Sequence, residues 1–578
     1  MNYNTFYKKY ENIILSSLTI ALFGLFITVK YDLIYELNDD TVIRNLLSGT
    51  YTGTPTAMNN QMMFALSLII SLFYRIIPSV QWFDIFLIVC QYVCIWIVLK
   101  RLMEYCEKTV GKIVLSAVYL MFLFTFLLNH FVLATYTVTS GMLAVTAMFL
   151  FVTEKNNEKL FRKSIVSIVF AVLAFCIRSE MLLMLLPFIC VAGVYRWARE
   201  EKIFAKENFV KYLSIFGTLM VLIGAVMATD KAAYSSDEWK DFRSFFDART
   251  TVYDYTGIPS YDENRDFYDR SNISKEQYLL LECYDYALNE SINTEMMNTI
   301  ADYAQQSGDG LGDKVYKAVI AYKNQILNGF GKQYHTIIVI GYIVLALALS
   351  RNNILRVLLL AAAAFFTRSV VWLYLHGQGR TPDRITHPLY WAEFALLVAV
   401  YIVERNNIKI NCKKINGAVL LMIAAVCAVF FTQEYSTLGN RYNELYEKAQ
   451  KYEAVHSYCI ENSDNFYFTP IFSMAIYPEM VFDGSQEPTN FDLLGGWLVK
   501  SPSHKEKMNN NGINAIDTDI LDKENVYIVQ HSGYVSFYTE YPFQWLTGYY
   551  AGKGYDVEVI KTDTIIDNIE VYKVEKLN

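Results

Sequence analysis

A basic excess is missing from this 578-residue chain: 50 Lys and Arg against 57 Asp and Glu give a formal net charge of -7 and a pI of about 5.7. That balance excludes nucleic-acid binders, which carry a basic surface stripe. Charged residues make up only 19% of the chain and hydrophobic residues 54%, with a mean hydropathy of +0.22. Such a composition is too apolar for one soluble fold and marks a membrane protein. The nine cysteines follow no metal or disulfide spacing, and most (Cys90, Cys94, Cys176, Cys190, Cys427) lie inside apolar runs where they act as small hydrophobes. Only Cys283 and Cys459 fall in segments placed on the extracytoplasmic side, which leaves a bridge between them open. No small-residue cleavage site follows the apolar run behind Lys8 and Lys9, so that run reads as a retained first span. What is abundant is aromatic: 44 Tyr, 37 Phe and 8 Trp suit interfacial belts or aromatic-lined grooves alike.

A spanning helix needs about 20 apolar residues. Apolar runs at 12–30, 82–101, 113–129, 133–152, 163–177, 181–196, 210–229, 335–350, 354–374, 388–404 and 414–432 give about eleven spans in a mainly α, polytopic helical bundle over 1–432. The basic groups around Lys8, Lys100, Lys155, Arg196, Arg351 and Arg405 then share one side, the cytoplasmic one. The N-terminus is cytoplasmic on this reading, and residues 433–578 form a small extracytoplasmic α/β domain. Its expected strands are 465–468, 525–529, 556–560 and 569–574, after a helix at 440–460. Leu493-Leu-Gly-Gly-Trp497 reads as a tight turn beside a buried Trp. Residues 62–77 are apolar, yet counting them as a span would reverse every later loop, so they lie in the interface or dip in and return.

Two adjacent acids, Asp39 and Asp40, open the first external loop (31–81). Carboxylates at a membrane surface need an explanation, either as chemistry or as capping of a helix at 42–47, for which Asn38, Asp39 or Thr41 are the candidates. Arg178 and Glu180 turn a hairpin whose legs, about 15 residues or roughly 22 Å each, are shorter than the ~30 Å hydrocarbon core. Both charges should sit below the outer surface, as an ion pair or facing a polar cavity. The large external loop (230–332), with a helix at 275–289 capped by Ser274, is an ordered lid or acceptor holder.

The late loop from His376 to Pro388 carries Arg380, Asp383, Arg384 and His387, with Arg368 in the span before it and Glu393 in the span after. Paired guanidinium groups there suit a phosphate or pyrophosphate; the alternative is headgroup snorkelling with an Arg–Asp383 bridge. His376 and His387 are spaced too loosely for a metal site.

A first span, an acid pair opening a long loop, many spans and a terminal external domain resemble the GT-C superfamily of membrane glycosyltransferases. The carrying residues are Asp39/Asp40, Arg178-Ser-Glu180 and Arg380/Arg384. The chain is also similar to bacterial multi-span envelope proteins with an Asn-Asp-Asp pattern followed by Ser-Gly-x-Tyr-Thr-Gly-x-Pro, here Ser48 to Pro55. The resemblance implies an enzyme of the plasma membrane that moves a sugar, with inversion, from a polyprenyl-phosphate or pyrophosphate carrier to a glycan, glycolipid or protein acceptor. Asp39 or Asp40 would then be general base. Arg178, Arg380, Arg384 and His376 would bind the lipid phosphate, with Glu180, Arg368, Asp383 and Glu393 supporting. No acidic motif insists on a cofactor, and divalent-metal use stays open. The rivals are a polymerase or ligase of another fold, a flippase or transporter of lipid-linked saccharide, which usually shows internal repeats absent here, and an envelope scaffold.

Overall fold

The computed structural model describes residues 3–577 apart from 156–157, 309, 329–331, 348–353, 405–411, 475–476, 483–486 and 533–542. It is mainly helical (71%). Among the described residues, nine helices are long and apolar enough to cross a membrane: Tyr10–Lys30, Trp82–Met103, Thr109–Phe126, Tyr136–Thr153, Ser179–Trp197, Lys206–Ala233, Ile354–Gly377, Asp383–Glu404 and Gly417–Glu461. Two further expected spans appear as shorter helices, Ile165–Ile177 and Lys332–Leu347. Of the basic groups expected at the cytoplasmic ends, Arg351, Arg405 and Lys409 lie outside the described residues.

Tyr136–Thr153 is the hub, with 89% of its apolar window buried. It packs against Ile165–Ile177, Asp383–Glu404, Trp82–Met103 and Ser179–Trp197. Gly141 makes one of these crossings possible, since a Cβ there would stand 2.6 Å from the Pro388 side chain. Gly141 and Pro388 each lie near the start of their helix, so the contact sets Tyr136 and Asp383 at the same end of the bundle. Ser140 Oγ donates to the carbonyls of Ala174 (2.8 Å) and Arg178 (3.2 Å), which brings the Arg178 hairpin to that end too.

The first loop is tied in by a short parallel pair, β1 (Ile34–Tyr35) with β2 (Leu133–Ala134). The helix Asn38–Ser48 follows. Its N-cap is Leu37 with no side-chain cap bond, so the capping role expected of the acids is not what holds this helix. Gly49 closes it in the left-handed region (φ 87°), where a Cβ would also collide with Thr54 and Pro55. That accounts for the first glycine of the Ser48-to-Pro55 motif. Phe64–Ile76 has 13 residues, about 20 Å, the same length as Ile165–Ile177. It buries Leu66, Ile70 and Tyr74 and leaves Ile69, Leu72, Phe73 and Ile76 exposed.

The C-terminal segment holds a five-stranded mixed sheet of β3 (Phe466–Thr469), β4 (Phe491–Leu493), β5 (Val526–His531), β6 (Val557–Ile566) and β7 (Ile569–Lys576). Its order is β4-β3-β5-β7-β6, with β3 parallel to β4 and β5, and β7 antiparallel to β5 and β6. Four strands match the expected ones; β4, three residues long, had no readable alternation. The helix expected at 440–460 is the far end of one continuous helix, Cys412–Glu461, about 75 Å long at 1.5 Å per residue. The helix capped by Ser274 has its capping box with Gln277 but ends at Glu282, because Tyr284 adopts φ 65°. Cys283 and Cys459 are both buried and form no bridge with each other.

The large loop and the sheet are not separate bodies. Phe245, Tyr268, Leu281, Tyr286 and Ile300 share one core with Phe466, Phe468, Ile528 and Trp545. A boundary at 432/433 therefore divides the chain but not the core. Gly495 marks the closest approach, since a Cβ there would overlap the Tyr284 carbonyl, and the Tyr286 hydroxyl donates to the Gly496 carbonyl (2.5 Å). The expected tight turn is this junction, with Trp497 buried beside it.

Arg44 clamps this cap onto the first loop: it donates to Glu479 and Glu487 (2.5 Å each) and to the Met480 carbonyl (3.2 Å). Burial pushes Glu487 up, but His456, Arg44 and a hydrogen bond from Glu479 hold it down to about 2, so the pair is ionic at neutral pH. Arg44→Met removes the guanidinium that bridges two buried carboxylates and should cost about 3–5 kcal/mol. The expected readout is a lower Tm in detergent solution, and an unchanged Tm would show the clamp to be idle.

Candidate functional site

The β1–β2 pair delivers Glu36 and the acid pair to the start of the hub helix. The Glu36 N–H donates to the Ala134 carbonyl (3.1 Å), and the Tyr136 N–H donates to Asp40 Oδ1 (2.7 Å). Thr135 accepts the Val138 N–H (3.1 Å), so Thr135 and Asp40 together satisfy the first turn of Tyr136–Thr153. Asp40 does cap a helix, but a distant one. It is fully buried, and its Oδ2 has no partner. Asp39, one residue earlier, is half-buried. Burial, and then the charges of Asp39 and Glu36, push the Asp40 carboxyl well above the usual carboxylate range; Arg178 and Arg384 oppose them without prevailing.

Opposite the acids stand guanidinium groups. Arg178 sits in extended backbone between two helices, donates to Gln61 Oε1 (3.3 Å) and lies 5.0 Å from the centroid of the Tyr136 ring. Tyr136 donates its hydroxyl to the same Gln61 oxygen (3.1 Å), so acid, ring and guanidinium are wired through two residues. Arg384 interacts electrostatically with Asp39, Glu36, Arg380 and Arg178. Arg380 pairs with Asp254 (2.9 Å) in the π-helical turn Thr251–Thr256 of the large loop, where Arg249 also approaches (4.0 Å). Four helices begin around this cluster, at Asn38, Tyr136, Ser179 and Asp383. Their N-terminal dipoles favour negative charge at the shared end.

Other expected members lie elsewhere. Glu180 is 69% exposed and 3.9 Å from Arg178, so it does not face a shared cavity. Asp383 approaches His387 (3.6 Å), and its expected bridge to arginine is not formed, because Arg380 goes to Asp254. Arg368 and Glu393 form a buried pair (3.5 Å) within a second network: Arg368 contacts His335, Tyr342 donates to Glu393 (2.8 Å), and Gln325 joins Tyr390 (2.9 Å) to His376 (2.7 Å). His387 belongs to that side as well, 2.6 Å from His130 and 3.2 Å from the Tyr334 hydroxyl.

A different set of residues has metal-ligand geometry. Ligand atoms of His456, Glu479 and Glu487 lie within 4.8 Å of one another. Their chemistry would accept a divalent cation, but Arg44 already donates to both carboxylates and supplies the countercharge. Sequence reasoning missed these three, and also Glu36, Gln61, Tyr136 and Asp254. Glu36 alone had a local signal, being three residues before Asp39; the others join only through long-range contacts. No protein-family model, curated protein or solved structure matches the chain.

A carboxyl whose folded pKa exceeds its unfolded one holds its proton more tightly when folded. Its stabilising contribution is present below the usual value, 3.8, and is lost as pH rises through the raised one. Asp40→Asn keeps a carbonyl for the Tyr136 N–H, so wild type should lose Tm relative to this variant as pH rises from 3.8. A wild type that gains on the variant over that window would contradict the burial of Asp40.

Proposed function

We propose that the chain is a GT-C-like membrane glycosyltransferase that transfers a sugar from a polyprenyl-phosphate or pyrophosphate carrier to an extracytoplasmic acceptor. The reading takes eleven spans in the plasma membrane, the N-terminus in the cytoplasm, and the acid–guanidinium end with the C-terminal segment outside. The observation that carries it is the meeting of Asp39 and Asp40 with Arg178 and Arg384 at one end of the bundle, where four helices begin.

In this mechanism Asp39, the less buried acid, accepts the proton of the acceptor hydroxyl as its oxygen attacks the anomeric carbon. The bond from that carbon to the carrier phosphate oxygen breaks, and the phosphate leaves with the electron pair. Attack opposite the leaving group inverts the configuration. Arg384 and Arg178 stabilise the charge growing on the departing phosphate, and Arg380 stands next to Arg384. Asp40 is a positioning residue, fixed on the Tyr136 N–H.

Asp39→Asn should lower transfer by about 10²–10⁴-fold with Tm and membrane insertion intact, and Arg384→Gln should also impair it. The measurement is release of free carrier from radiolabelled polyprenyl-phosphate sugars. An Asp39→Asn enzyme of full activity would remove the base, and with Arg384→Gln inactive would favour a ligase that needs no carboxylate. A protein that moves the lipid-linked saccharide without releasing carrier would be a flippase.

A further inference from the structure

The last helix of the large loop, Leu311–Asn328, packs on the spanning helix Ile354–Gly377, and its Tyr322 belongs to the core of the bundle. Ala318 is buried at this contact; a Cβ on Gly377 would stand 3.9 Å from that of Ala318. The Tyr322 hydroxyl lies 3.2 Å from Ser369 Oγ, and Gln325 bonds His376 (2.7 Å) and the Tyr390 hydroxyl (2.9 Å). Ser369 is eight residues, about 12 Å, inside the end of its span. The helix therefore lies alongside the last turns of the span, not beyond them. A few residues on, the Tyr334 hydroxyl donates to the carbonyl of Phe126 (3.1 Å), the last residue of another span.

One face of Leu311–Asn328 serves this contact, with Ala318, Tyr322 and Gln325 spaced i, i+4, i+7. Beside it, Leu311, Val315, Tyr316, Val319, Ile320 and Ile326 form an apolar half whose residues are 40–81% exposed. Asp313, Lys317 and Asn324 take the remaining side. The apolar half continues onto the span, where Phe366, Val370 and Tyr374, spaced i, i+4, i+8, are 49–69% exposed next to Ser369. An apolar surface shared with a spanning helix, on a helix that is polar on its far side, is the pattern of a helix set into a bilayer interface. The charges agree. Lys314, Lys317 and Lys323 against Asp313 give the helix three positive charges less one, a net +2 in a chain of net -7. Lysines suit headgroup phosphates, and their stems lie along apolar surface with the ammonium at the boundary.

We propose that Leu311–Asn328 is inserted in the bilayer, its apolar half on lipid chains and its lysines at the headgroup phosphates of the leaflet at the acid–guanidinium end. The large loop is then held at two places, to the bundle by Asp254 on Arg380 and to lipid by this helix. The inference rests on the membrane character of the chain and not on the transferase reading.

The test uses the full-length protein in nanodiscs of phosphatidylcholine and phosphatidylglycerol. The photocrosslinker p-benzoylphenylalanine is placed singly at Val319, at Phe366 on the span, and at Glu506, exposed in the C-terminal segment. Mass spectrometry after irradiation reads lipid adducts. Val319 should give adducts at a level comparable to Phe366, and Glu506 none; Val315 is the second site should the Val319 variant fail to fold. Absence of lipid adducts at Val319 and Val315, with Phe366 carrying one, overturns the proposal. So does a crosslink from Val319 to a second copy of the chain, which would make this face a contact between copies.

Discussion

Burying the Asp40 carboxyl is the constraint around which this molecule is arranged. A carboxylate away from water is costly unless polar groups and cations surround it. Asp40 has the Tyr136 N–H on one oxygen and two guanidinium groups within electrostatic reach. Each of these demands its own scaffold. The β1–β2 pair sets the register between the first loop and the hub helix. Gly141 lets Pro388 close in, and with it the helix that starts beside Arg384; Ser140 ties down the backbone of Arg178. Helix dipoles then add a positive potential at no further cost in side chains.

The polar cap extends the same logic outward. Three charge contacts join it to the bundle end: Arg44 with Glu479 and Glu487, Arg441 with Glu36 (2.5 Å), and Asp254 with Arg380. Two of the three touch groups next to the site, since Glu36 acts on Asp40 and Arg380 acts on Arg384. The large loop and the C-terminal sheet share a core, so movement of the loop at Asp254 would be felt in the sheet.

Much of the bundle was legible because hydrophobic runs of spanning length are a strong signal, and four of five strands carried the β-branched and aromatic composition of half-buried sheet. The acids and arginines stood out because charge near a membrane is expensive. What was hidden depends on distance in sequence. The capping expected of Asn38, Asp39 or Thr41 on their own helix gives way to Asp40 capping Tyr136, 96 residues on, a pairing no local pattern encodes. Asp254 lies in a polar loop where acids are unremarkable, and its meaning comes only from Arg380. Gln61 and Tyr136 carry no charge to draw notice. The shared core of loop and sheet was unreadable because each half looks like an ordinary amphipathic segment until the other covers it.

Charge balance divides the two adjacent acids into different roles. Glu36 is matched by Arg441, Arg380 by Asp254 and Arg178, at 3.9 Å, by Glu180, while Asp40 lies in the field of Arg178 and Arg384. On the transferase reading, a phosphate entering this end would add negative charge that the uptake of a proton would offset. Asp40 is the group that takes it up most readily, because burial and two acidic neighbours already favour its neutral form. A neutral Asp40 would still accept the Tyr136 N–H, so the helix start is undisturbed. One residue of spacing on a helix buries Asp40 fully and leaves Asp39 half-buried.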